Sequence, residues 1–248
     1  MIKDKISIPL WKCFAIWILS GLSFVFVLLG VEHFSQKDLY QGSLTVYLLQ
    51  GFIFLLADLW VATALGIDFK AAFTDYAANI KNYLKLALKY YFAYALAVVA
   101  IIGVGVLICF CLIKMGSFDL AAFQKAHGSN SLRQPEMNYL YSIAVGAPFK
   151  YILYLITVCV LIPIEEEIFC RRFLYVSLRH KMLLGSSLII SSLIFGLEHW
   201  GAGPGQAVIA GLFLGWIYER HQRLPVNIMV HGLINFTVTI VMTFLAFG

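Results

Sequence analysis

Seven predominantly apolar stretches, at about 8–31, 44–67, 90–113, 139–162, 182–199, 206–218 and 225–247, follow one another with only short polar punctuation between them. A helix rising 1.5 Å per residue needs about 20 residues to cross the hydrocarbon of a bilayer, and most of these stretches reach that length. Lipid offers no partner to an open sheet edge, so each stretch is expected to be helical. The expected fold is all-α, a polytopic transmembrane helical bundle of about seven to eight membrane segments. Composition points the same way. Of 248 residues 61% are hydrophobic and 12% charged, about half the charge of an average soluble domain. That excludes a water-soluble globule and intrinsic disorder alike.

The remaining charge is modest, with 18 Lys and Arg against 13 Asp and Glu. No basic tract lies beside aromatic platforms, so nucleic acid is not expected as a partner. Cys13, Cys109, Cys111, Cys159 and Cys170 lie in or beside apolar runs without C-x-x-C spacing, and are read as small buried hydrophobes. Lys3 and Lys5 lead into the first stretch, which is too long for a signal-peptide core and is expected to be an uncleaved span.

The polar punctuation falls at Ser35 to Asp38, at the amphipathic stretch Asp68 to Lys89, at Gly128 to Glu136, Arg179 to Lys181, Gly201 to Gly205 and Glu219 to Arg223. The 115–138 connection is expected to be the one long extramembrane loop. With the N-terminus inside, Lys70, Lys81, Lys85 and Lys89 are inside as well. Arg179, Lys181, Arg220 and Arg223 join them if residues 139–180 cross the membrane only once. A kinked or partly re-entrant course for that segment is therefore preferred. Pro163, which lacks an N–H, can begin or kink its helix.

Within this segment lie three consecutive glutamates, Glu165, Glu166 and Glu167. An ionised side chain at the bilayer centre costs about 2.5 to 3.5 kcal/mol on insertion scales, so the triplet calls for a reason. Glu167 and Arg171 stand four apart and can pair on one helical face. Glu166, about 100° away, faces something else. A solvated helix start after Pro163 is the plain alternative. Downstream, Phe195 and His199 share one face, as do His231 and Asn235. A lone intramembrane histidine is usually a packed residue bonded to a carbonyl, but three segments presenting polar groups are most cheaply satisfied by meeting in a hydrated cavity.

The run Glu166-Glu167-Ile168-Phe169-Cys170-Arg171, then Phe195 to His199, then His231 to Asn235, resembles the E-E-x-x-x-R, F-x-x-x-H and H-x-x-x-N series of the CPBP family. This family, also called Abi, holds the type II CAAX prenyl endopeptidases and bacteriocin-processing enzymes. The resemblance covers about residues 139–248, with Arg172 standing where the family commonly has glycine. It implies one integrated membrane domain, in which residues 1–138 supply transmembrane helices and the long loop, and 139–248 the catalytic core. It further implies a metal-independent glutamate-type intramembrane protease needing no cofactor. Glu166 and His199 would activate water, and His231 and Asn235 would donate to the oxyanion, each such donor contributing on the order of 3 kcal/mol to the transition state. Glu167 and Arg171 would fix the helix that aims Glu166, and Phe195 would pack beneath His199. The expected partners are the lipid bilayer and a membrane-associated peptide or protein precursor. The expected location is a cell membrane crossed several times, most simply the bacterial cytoplasmic membrane.

Three rivals stand beside this reading. Two histidines and a glutamate can hold zinc, although no H-E-x-x-H occurs. A non-catalytic bacteriocin self-immunity or membrane-binding protein would survive loss of Glu166. A proton-coupled transporter would use the same intramembrane groups, but no inverted repeat is evident. Ser186, Ser187, Ser191 and Ser192 are read as residues that permit close helix packing, and Cys170 as an inert buried thiol.

Overall fold

The computed structural model describes residues 8–35, 43–117, 119, 134–199 and 203–247, among which all regular structure is helical. The expectations for Lys3, Lys5, residues 36–38, most of the 115–138 loop and Gly201 lie outside the described residues. The helices are α1 (Leu10–Ser35), α2 (Leu44–Ala64), α3 (Phe69–Lys114), α4 (Gln134–Gly146), α5 (148–179), α6 (Leu184–Glu198), α7 (Pro204–His221) and α8 (Leu224–Leu245). Four of them, α1, α2, α3 and α8, are long and apolar enough to cross a membrane unaided. Together they make this a multi-pass membrane protein. Trp11, Phe26, Trp60 and Leu96 stand open on α1, α2 and α3, as side chains that face acyl chains rather than water should.

Two boundaries differ from the apolar pattern. The stretch 139–162 is not one span. The residue before a proline is pushed out of the α region, and Ala147, at φ −150° and ψ 68°, ends α4 just before Pro148 opens α5. The amphipathic stretch 68–89 is not a connection either. Asp68 caps it through the Ala71 N–H at 2.9 Å, and it winds without a break into the span that follows, as one helix of 46 residues. At 1.5 Å per residue that helix is about 70 Å long, more than twice the hydrocarbon thickness.

The segment carrying the glutamates continues its predecessor as α5, a single helix whose winding changes four times. Pro148–Ile156 is α-helical, Thr157–Leu161 is π-wound, Ile162–Glu167 is α-helical, Ile168–Tyr175 is π-wound, and Val176–Arg179 closes as α-helix. Pro163 explains the first widening. The Ile162 N–H reaches back five residues to the Thr157 carbonyl. The next such bond would need a proline N–H that does not exist, so the Val158 carbonyl accepts instead from the Asn235 amide at 2.8 Å.

The C-terminal ends of α5 and α7 meet through Arg179 and Glu219 at 2.9 Å. Nearby, Arg223 pairs with Asp75 of α3 at 3.3 Å, and the Tyr90 hydroxyl meets His221 at 2.6 Å. These contacts gather Arg179, Glu219, Arg223 and the lysine-bearing part of α3 at one end of the bundle. Three of the four serines behave as packing residues, whereas Ser186 is exposed. Ser187, Ser191 and Ser192 are fully buried and donate to carbonyls of their own helix. The cysteine expectation holds only in part: Cys13 and Cys170 are buried and Cys159 is half-buried, whereas Cys109 and Cys111 are exposed on the apolar C-terminal part of α3.

Helix α8 lies against α5 at Gly232. A Cβ there would stand 2.3 Å from the Cys159 carbonyl oxygen, a backbone atom that cannot move aside. Gly232→Ala is expected to cost about 1 to 3 kcal/mol despite alanine's better helix propensity. Gly30→Ala on α1, with nothing within 4 Å, should cost nothing. Thermal unfolding of both variants in detergent checks the contrast.

Candidate active site

Three helices supply the site. Glu165, Glu166 and Glu167 sit on the short α-wound turn between the two π windings of α5, so their side chains diverge around the axis by about 100° each. Glu167 points to α8 and is completely buried. It accepts from Arg171 Nε at 2.9 Å and Nη2 at 3.4 Å, from Asn227 Nδ2 at 3.1 Å and from His231 Nδ1 at 3.1 Å. A carboxylate paired with a guanidinium only accepts, so His231 donates from Nδ1 and its Nε2 points the other way. That Nε2 stands 3.4 Å from Glu166 Oε2.

Helix α6 brings His199. Its Nδ1 lies 2.9 Å from the Phe195 carbonyl, which can only accept, so this ring too carries its proton on Nδ1. Its Nε2 then faces Glu166 Oε1 at 3.7 Å. Phe195 lies against His199, with ring centroids 4.6 Å apart. It also meets His231 edge-on at 5.6 Å and carries the Arg171 guanidinium over its face at 5.4 Å. The two histidines and the arginine thus share one aromatic floor.

Glu166, His199 and Asn235 border a cavity of about 490 Å³ walled mainly by α1, α2, α5 and α8, with Glu136 of α4 and Glu198 of α6 at its ends. The α5 wall runs from Tyr154 through Val158, Ile162, Glu165 and Glu166 to Phe169, a length of about 20 Å. At one end Tyr154 and Tyr47 donate to Glu136 at 2.9 and 3.3 Å. At the other lie Glu165, Glu166, Glu198 and His199. His231 does not border the cavity; it stands behind Glu166, between that carboxylate and Glu167. Among the described residues no three His, Cys, Asp or Glu side chains are arranged to hold a metal ion.

Residues 148–237 match a family model, that of the type II CAAX prenyl endopeptidases, Rce1-like. The matched segment begins at the first residue of α5, ends two residues beyond Asn235 and contains all three motifs, so it is the CPBP resemblance found again. No curated protein and no solved structure matches. A protease family and a set of apolar helices together support a membrane-embedded hydrolase.

Sequence spacing misses three polar residues that the structure draws in, Asn227, Glu198 and Asp58, and gives no separate role to a fourth, Glu165. Asn227 could have been found, since it precedes His231 by four as His231 precedes Asn235, which puts all three on one face of α8. Glu165, Glu198 and Asp58 carry no motif spacing; only their charge in an apolar run marks them. Because Glu167 holds a fully buried arginine, Glu167→Ala is expected to cost about 3 to 5 kcal/mol. Glu166→Gln, at a carboxylate whose Oε2 has no hydrogen bond, should change stability by less than about 1 kcal/mol. Denaturant unfolding in detergent compares them, and equal losses would contradict the division of labour between these neighbours.

Proposed function

We propose that this protein is an intramembrane endopeptidase of glutamate type that hydrolyses a peptide bond in a membrane-associated peptide or protein precursor without a metal ion. The observation that carries the reading is the position of Glu166: one carboxylate oxygen 3.7 Å from His199 Nε2, the other 3.4 Å from His231 Nε2, at the wall of a cavity a peptide can fill.

In this reading a water molecule on the cavity side touches both Glu166 Oε1 and His199 Nε2. Glu166 takes one of its protons as the water oxygen bonds to the scissile carbonyl carbon. The carbonyl oxygen becomes the oxyanion. Asn235 gives one amide hydrogen to Val158 and retains the second, which serves the oxyanion from the cavity wall. His231, facing Glu166 Oε2 rather than the cavity, holds that carboxylate in place while Oε1 takes and returns the proton, a narrower task than the oxyanion role the family resemblance implies. Collapse of the intermediate breaks the C–N bond, and the proton held by Glu166 passes to the leaving nitrogen. The products are one acid and one amine, and the carboxylate is regenerated. Residues 1–138 contribute through α1 and α2, which close the cavity opposite α5 and α8.

The test is turnover of fluorogenic membrane peptides by the purified chain. Glu166→Gln and His199→Ala should each lower kcat by about a hundredfold or more, while Asn235→Ala should lower it about 10- to 100-fold with little change in KM. Activity should persist in a strong chelator. Full activity of Glu166→Gln would overturn the reading, and loss of activity to the chelator with recovery on adding zinc would favour the zinc hydrolase.

A further inference from the structure

Three carboxyl groups crowd one end of the cavity, and only one is needed for the chemistry proposed above. Glu198 is accounted for in part by hydrogen bonds from the Trp17 indole and, at 3.8 Å, from the Cys170 thiol. Glu165 has no such explanation. It is 2% exposed, it borders the cavity, and its Oε1 has no hydrogen-bond partner. Behind it, from α2, comes Asp58, 3% exposed, whose Oδ2 is likewise without a partner. The carboxyl groups of Asp58, Glu166 and Glu198 are near neighbours of Glu165.

Among the described residues bordering the cavity there is no lysine and no arginine. Arg171, the nearest guanidinium along the helix, is bound to Glu167. A buried carboxyl oxygen without a donor costs about 1 to 3 kcal/mol, and more where it is charged. The fold therefore keeps, in lipid, an acid-lined end with no cation of its own, continuous with an apolar wall that includes Ile18, Leu22, Val25 and Phe54.

We infer that the Glu165 end of the cavity is a cation subsite, which takes the lysine or arginine side chain of an otherwise apolar peptide segment. The inference rests on the endopeptidase reading for what the segment is, but not for whether it binds. An ammonium or guanidinium group entering there supplies the donor that Glu165 Oε1 lacks, in surroundings where a charge-assisted hydrogen bond is strong. The apolar wall receives the stem of that side chain and its neighbours. Glu165 adjoins Glu166 in the chain, with Cα atoms about 3.8 Å apart, so the subsite lies within a residue or two of the bond that Glu166 would attack. Glu165 and Asp58 are thereby specificity residues, and the preferred substrate is a hydrophobic segment with one basic residue beside its cleavage site.

The experiment is equilibrium binding, which needs no turnover. Fluorescein-labelled decapeptides of leucine and alanine with a single central lysine, norleucine or glutamate are titrated with the full chain in neutral detergent and followed by anisotropy. The lysine peptide should bind at least about tenfold more tightly than the norleucine peptide, and the glutamate peptide most weakly. In Glu165→Gln the ratio of lysine to norleucine affinity should fall to about twofold or less. Asp58→Asn should reduce the same ratio, which provides a second measure should the first variant fold poorly. Equal binding of lysine and norleucine peptides by the native chain would overturn the subsite, and so would a lysine preference undiminished in both variants. Selective binding without cleavage would overturn the endopeptidase reading and leave the subsite standing.

Discussion

The buried pair of Glu167 and Arg171 is the constraint on which the site depends. A guanidinium with no exposure to solvent is tolerable only when its carboxylate cannot leave, and here the carboxylate is held by Asn227 and His231 of α8 as well as by the arginine. Phe195 of α6 lies under the same guanidinium. One ion pair thereby ties α5, α6 and α8 together at a single depth. Because Glu166 follows the same backbone one residue earlier, the rotation that buries Glu167 toward α8 also turns Glu166 to the cavity, where two imidazoles meet it. The charge that is neutralised aims the charge that is left free.

The second constraint is the irregular winding of α5. A regular helix through Pro163 would leave a carbonyl without a donor in a medium that supplies none. The π winding moves that debt to Val158, and Asn235 discharges it across the helix interface. The close approach that allows this is set by Gly232 against the Cys159 carbonyl. Asn235 thus satisfies the α5 backbone with one amide hydrogen at a position that borders the cavity.

Much of this was legible in the sequence. The apolar stretches specified an all-helical membrane protein, and the 167/171, 195/199 and 231/235 spacings specified which side chains share a face. The convergence of those faces was an inference from the cost of isolated polar groups in lipid, and the atoms do meet, even though His231 lies near the start of its helix and Glu166 well within its own. Other features were out of reach for identifiable reasons. The break at Ala147 is a local effect of Pro148 inside an otherwise continuous apolar run. The fusion of 68–89 with the next span leaves no trace in hydropathy, because a helix can leave the membrane without ending. The placement of His231 behind Glu166 depends on how α8 packs on α5, which spacing within either helix does not encode. Asp58 and Glu165 become neighbours only through the packing of α2 on α5, a long-range contact with no motif to announce it.

The central claim is that Glu166 acts as a base on water and not as a nucleophile on the peptide. It is tested most directly by cleaving a membrane peptide with the purified chain in heavy-oxygen water, then weighing both the products and the fragment of the protein that contains Glu166. The account predicts heavy oxygen in the new C-terminal carboxylate of the product and none in Glu166 after many turnovers. Heavy oxygen accumulating in Glu166, the mark of a covalent anhydride opened by water, would contradict it.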